Sequence, residues 1–375
     1  MLRYLTSGES HGRCLVAILE GMPAGLALDP ERINQELRRR QQGYGRGGRM
    51  LLEQDRVEIL SGVRRGKTMG SPIALQITNK DFSIDKLPVV TRPRPGHADL
   101  TGALKYDQED VRTILERASA RETVARVAVG AVCRLFLEAF DVDLLSHVVR
   151  LGGIDAKAPA IDGLAGLRKR VEGSPLRCAD ALAEKKMIKL IDAVKAAGDT
   201  VGGTIELLAT GVPVGLGSHV HYDRKLDARI AGALMSIQAI KAVEVGDGVR
   251  VSMVRGSELH DEIYYSAAKG FHRRTERAGG FEGGMTTGGP LLFRLHMKPL
   301  STLRRPLKSV DIKTKQPFVA TVERSDVSAV PAAGVIAEAV VAFELANAWV
   351  EKFGGDSLGE VARNWRGYVQ QVKRF

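Results

Sequence analysis

The chain has 375 residues, 44 % hydrophobic and 26 % charged, with a formal net charge of +11; this is the composition of a globular protein and not of a disordered one. No apolar run approaches the ~18 residues of a membrane helix, and the first residues do not read as a signal peptide. Three widely spaced cysteines, Cys14, Cys133 and Cys178, speak against a disulfide framework or a Cys-x-x-Cys zinc site and fit a reducing compartment. The excess of Lys and Arg (55) over Asp and Glu (44) points to an anionic partner, whether nucleic acid, a membrane surface or a small acidic substrate.

In chain order, Asp29-Pro30-Glu31 reads as a helix start, with Asp as N-cap and Pro at the first helical position. Ile33 and Leu37 keep helical spacing, and the glycines from Gly43 onward end the helix near Gln42. Strands are expected at 57–60 and 72–78, followed by a proline-punctuated loop over 91–99. Residues 109–140 carry no proline and predict one helix, about 45 Å long if continuous. Further helices are expected at 181–197, 224–243 and 331–352, and strands at 203–209, 249–254, 291–297 and 317–322. Short strands mixed with long helices, without a regular βαβ rhythm, predict an α+β fold in one large domain over 1–375.

Two glycine patterns imitate phosphate loops. Gly43, Gly45 and Gly48 satisfy G-x-G-x-x-G, but a helix precedes them where the dinucleotide fingerprint needs a strand. Gly62 to Thr68 is one residue short of a Walker loop and reads as a basic surface turn. The arginine cluster carries more weight: Arg38, Arg39, Arg40, Arg46 and Arg49 fall within twelve residues with no acid among them. Guanidinium forks grip carboxylate and phosphate at two points, and a glycine-rich loop lets them converge; a solvated helix face is the bland alternative. Nucleic-acid binding would favour interleaved aromatics, and Tyr44 is the one aromatic there. His11 and His97 sit among glycines and polar residues on expected loops, each able to exchange a proton near neutrality or to serve a structural role. His219 and His221 alternate as on a strand and face opposite ways, which disfavours a shared metal; no metal site is expected.

Together these segments resemble the chorismate synthase family. Ser7-Gly8-Glu9-Ser10-His11-Gly12, Arg39-Arg40-Gln41 with the loop 43–50, Arg94-Pro95-Gly96-His97-Ala98-Asp99 and Glu116-Arg117-Ala118-Ser119-Ala120-Arg121-Glu122-Thr123 follow in the family's order. So do Ala278 to Gly284, Met297-Lys298-Pro299 and Arg324-Ser325-Asp326-Val327. The resemblance implies helices packed between antiparallel sheets in a β-α-β sandwich. It also implies a cytoplasmic homotetramer acting in the shikimate pathway of aromatic amino acid biosynthesis. The implied reaction is that of a lyase, which removes phosphate from 5-enolpyruvylshikimate 3-phosphate by anti-1,4-elimination to give chorismate. It requires reduced FMN, with NADPH as reductant in members that reduce their own flavin.

By the same resemblance His11 protonates the departing phosphate, His97 acts near N1 of the flavin, and Asp326 acts at its N5. Arg40, Arg46 and Arg49 hold substrate anions, the first two also NADP. Arg117, Ala118, Ser119, Gln238, Ala239, Gly283, Lys298, Pro299, Leu300, Ser301, Thr302 and Arg324 contact FMN. A flavin reductase using the same pocket, or a basic nucleic-acid-binding protein, would answer differently to an anaerobic assay with reduced FMN and the phosphate ester. Neither nucleic acid nor membrane is an expected partner.

Overall fold

The computed structural model describes residues 1–47, 54–157, 163–323 and 326–375. Period-two alternation builds the first sheet. Strands β1 (Arg3–Ser7), β2 (Cys14–Glu20), β3 (Val57–Ile59) and β4 (Ile73–Thr78) pair antiparallel in the order β1-β2-β4-β3. Leu15, Ala17 and Leu19 of β2 and Ile73, Leu75 and Ile77 of β4 point to one face and are fully buried. On the other face Leu5 and Ile18 stand opposite each other and are exposed.

The buried face meets helix α4 (Thr123–Glu138), which packs along α8 (Val330–Phe353). Their backbones approach because Gly130 has no side chain; a Cβ there would lie 2.4 Å from that of Ala339. Helix α8 also meets a second antiparallel sheet, ordered β8-β9-β7-β5-β6. Its strands are β5 (Asp143–Leu151), β6 (Ile154–Asp155), β7 (Gly203–Thr210), β8 (Ile240–Val245) and β9 (Leu291–Met297). One continuous apolar core takes in residues from Leu2 to Val361.

Helix α1 (Pro30–Gln41) begins as its sequence predicts, with the Asp29 carboxylate accepting the Glu31 N–H at 2.9 Å. Between it and α4 lie α2 (Asp99–Tyr106) and α3 (Arg112–Ala118). Further on come α5 (Gly163–Glu172), α6 (Ala181–Ala196), α7 (Leu226–Met235) and, after α8, α9 (Leu358–Arg374).

Several expectations are corrected. The helix over 109–140 is not continuous: at Ser119 the backbone turns extended (φ −62°, ψ 140°), and its hydroxyl caps a short 3-10 turn over Ala120–Glu122. The helix over 224–243 stops at Met235, and the β-branched Val243 and Val245 instead join a strand paired with β9. The strand expected at 249–254 is instead a 3-10 turn over Gly248–Met253, and the one near 317–322 covers Pro317–Val319 alone. Helix α8 is long and apolar enough by composition to cross a membrane, against the reading of no such run, but 94 % of its apolar window is buried inside the fold.

Candidate active site

Two tight loops set the first part of the site. After β1 the chain reverses through Gly8 (φ +103°), where a Cβ would lie 2.3 Å from the Cys14 carbonyl oxygen. The loop that follows carries Ser10 and His11. Asn79, just past β4 and almost fully buried, pins it: the amide N–H groups donate to the carbonyls of Glu9 (3.2 Å) and Gly12 (2.7 Å). The Asn79 amide oxygen in turn accepts Arg121 at 2.8 Å, and Arg121 donates to the buried Asp55 at 2.6 Å.

His11 is held by α3. Its Nδ1 lies 2.9 and 3.0 Å from the two carboxylate oxygens of Glu116, and its backbone N–H donates to Glu116 at 2.8 Å. Burial pushes the Glu116 carboxyl up, but the hydrogen bond and charge of His11, with Arg112 behind, outweigh it and leave it below the usual carboxylate range. Ser119 donates its hydroxyl to Ser10 at 3.3 Å, at a position just beyond the end of α3 and not inside a helix as expected. Arg117 donates to the carbonyls of Gly8 and Thr6.

Arg40, at the end of α1, is 4 % exposed, forms an ion pair with Asp55 at 3.6 Å and donates to Thr123 at 3.0 Å. Burial pushes its pKa down to about 9; Asp55 opposes this, while Arg121 and Arg46 add to it. A buried cation beside two others is a place for an anion. Arg46 meets Asp326 at 2.8 Å, and Asp326 also accepts the Gly47 N–H. The loops close further where the Val327 N–H donates to the Gly45 carbonyl at 2.8 Å.

His97 lies on the loop before α2. Its Nδ1 bonds the fully buried Asp99, which Arg94 also contacts at 2.8 Å. Arg94 donates to Thr302 at 2.9 Å, and Lys298 donates to the Gly96 carbonyl, so this loop and residues 298–302 sit together. Burial pushes the Asp99 carboxyl up, yet His97 and Arg94 hold it well below its usual range.

Gln238 donates to Glu122 at 2.8 Å, while its buried side-chain oxygen has no hydrogen-bond partner among the described residues. Ala239, at φ +68°, accepts the Lys298 N–H at 2.9 Å. Gly283 stands apart, in a hairpin turn beside His219 at the opposite end of α7 from Gln238, roughly 15 Å away along a ten-residue helix. Arg49 and Arg324, with Gly48 of the first glycine pattern, lie outside the described residues. The basic turn at 62–68 is a hairpin with Arg65 at φ +51°, and Thr68 is spent inside, its hydroxyl donating to the Pro23 carbonyl at 2.7 Å.

Sequence reasoning missed Asn79, Asp55, Arg121, Glu116 and Asp99 as site residues. Three of them stand within the motifs that carry His97 and Ser119, and a carboxylate two residues after a histidine was the available signal.

A profile described as chorismate synthase matches residues 2–350. The chorismate synthase of Geotalea daltonii is 56 % identical, with all of both chains covered. That of Desulforamulus reducens is also 56 % identical, covering 99 % of this chain and 100 % of the relative. A crystal structure of a chorismate synthase superposes with a TM-score of 0.84 at 45 % identity, covering 100 % of this chain and 99 % of that one.

Proposed function

The chain belongs to the chorismate synthase family, lyases that eliminate phosphate from 5-enolpyruvylshikimate 3-phosphate to give chorismate for aromatic amino acid biosynthesis, and from that premise we propose how its own residues divide the work. Arg40 and Arg46 hold the anionic groups of the ester, and NADPH would meet the same pair. Both lie in one electrostatic cluster with Arg121, Asp55 and Asp326, which offers the positive potential that three anionic groups require. Arg49 and Arg324 keep the roles that their place in the family's motifs implies.

Reduced FMN, when bound, supplies an electron-rich ring that assists cleavage of the carbon–oxygen bond. Its residues here are Arg117, Ala118, Ser119, Gln238, Ala239 and the run Lys298, Pro299, Leu300, Ser301 and Thr302. The fit is supported by the buried Gln238 oxygen that lacks a donor among the described residues. His11 gives a proton to the departing phosphate, His97 balances charge at flavin N1, and Asp326 holds or moves a proton at N5. Gly283, in the hairpin turn at the far end of α7 from Gln238, keeps the flavin contact that its place in the family's motif implies. A homotetramer is supported by the outward apolar pair Leu5 and Ile18. The layering of α4 and α8 with the two sheets supports a β-α-β sandwich in one domain, and three free cysteines support a cytoplasmic home.

The observation that carries this reading is that the 8–12 loop bonds α3 and Ser119 directly, Arg40 at the end of α1 bonds the Ala120 carbonyl and Thr123 just beyond α3, and residues 45–47 bond 326–328. The test is an anaerobic assay with dithionite-reduced FMN and the phosphate ester. Chorismate absorbance and phosphate release in equal amounts are expected; flavin oxidation without the ester would instead favour a reductase.

A further inference from the structure

The two histidines share a construction. Each imidazole is about one-fifth exposed, and each Nδ1 faces a carboxylate that is 0 or 1 % exposed. Each carboxylate also accepts a backbone N–H of the loop bearing its histidine: His11 N–H to Glu116 at 2.8 Å, and Arg94 N–H to Asp99 at 3.0 Å. Each is backed by an arginine, Arg112 at 3.7 Å from Glu116 and Arg94 at 2.8 Å from Asp99. Arg112 is itself held by Glu323 at 3.0 Å.

The carboxylates lie on neighbouring helices. Asp99 is the first residue of α2 and Glu116 lies near the end of α3. The two helices pack through Gly102, where a Cβ would lie 2.3 Å from Ile114, and through a small core of Val90, Ala103, Val111 and Leu115.

We propose that Glu116 and Asp99 are positioning residues, each dedicated to one histidine, and that the α2–α3 pair is the frame that fixes the spacing between the two imidazoles. An ionised carboxylate can only accept, so Nδ1 of each histidine must carry a proton. Arg94 Nη2 also lies 3.1 Å from the His97 Nδ1, but the shorter contact to Asp99 decides, since a lone pair on Nδ1 there would face the carboxylate's own. The exchangeable position is then Nε2. When His11 acts, its Nε2–H bond breaks, the proton passes to a phosphate oxygen, and a neutral imidazole with Nδ1–H remains. This rests on the roles proposed above for His11 and His97.

The test combines kinetics with magic-angle-spinning 15N spectra of protein labelled only in its histidine rings, assigned with His11→Gln and His97→Gln. Wild type is expected to show protonated Nδ1 at both residues. Glu116→Gln should change the protonation pattern of His11 alone, and Asp99→Asn that of His97 alone. Turnover in Glu116→Gln should fall ~10²-fold or more, as when an orienting carboxylate is amidated, with KM within about threefold, and Glu116→Asp should recover part of it. If Glu116→Gln destabilises the fold, Asp99→Asn carries the same comparison at His97. Unchanged ring spectra in Glu116→Gln and Asp99→Asn, or wild-type turnover in Glu116→Gln, overturn the proposal. The spectra need neither flavin nor ester, so wild type that shows the expected rings but no chorismate would sink the proposed function and leave this inference standing.

Discussion

Asp326 binds both the side chain of Arg46 and the N–H of Gly47, so one carboxylate fastens the arginine loop to the segment before α8. It does so in a region where Arg40 also senses its charge. Neutralising it removes negative potential from an anion site. Asp326→Asn is therefore expected to lower kcat at least ~10-fold while leaving KM for the ester unchanged or lower. Steady-state kinetics with reduced FMN checks this, and a raised KM with intact kcat would make Asp326 a binding residue only.

Arg40 has a folded pKa below its ordinary value, so the cost of burying its charge is present in full below about pH 9 and fades as pH rises from there toward the pKa of the unfolded chain. At neutral pH it stays charged, and a bound anion relieves that cost. Ester at a hundredfold excess over its Kd is expected to stabilise wild type by about 2.7 kcal/mol. In Arg40→Met, Asp55 keeps Arg121 at 2.6 Å. The free variant should thus stay folded while the ester no longer raises its Tm, as read by differential scanning fluorimetry.

Glu338 lies in the first half of α8, 1 % exposed, and meets Arg39, Arg134 and Arg177 at 2.8–2.9 Å while accepting Ser146. Burial pushes its carboxyl up, but Arg39, Arg177 and Arg134 hold it well below its ordinary 4.5. Its contribution is complete above pH 4.5 and is lost as pH falls from there toward the folded value. Glu338→Ala takes a shared buried carboxylate from three arginines that keep Glu36, Glu138, Asp143 and Glu172 as partners, and is expected to cost about 3 kcal/mol. Urea unfolding at pH 7 measures that loss, and at about pH 3 the gap between the proteins should narrow.

Gly130→Ala should destabilise, although alanine favours helices by about 1 kcal/mol over glycine. The added methyl meets Ala339 at 2.4 Å, between two packed helix backbones, and overpacking of that kind costs about 1–3 kcal/mol. A lower Tm than wild type is the expected result.

Local chemistry made α1, β9 and α8 legible: a cap, a period of two, and a proline at a helix start each acted where the sequence put it. The break at Ser119 was hidden because nothing in the composition of 109–140 announces it; the hydroxyl turns the chain by capping Ala120–Glu122. Val243 left the expected helix because β9 offered it a partner edge. For the site, His11, His97, Arg40 and Arg46 were visible as residue types on loops or at a helix end. Asp55, Asn79 and Arg121 were not, since their meaning lies in contacts between segments that only the tertiary fold brings together.

The clasp between residues 45–47 and 326–328 also bears on biosynthesis. A ribosome must release the chain past residue 328 before those two segments can meet. Nascent fragments thus hold the arginine loop without its closing partner, and catalytic competence arrives late in translation.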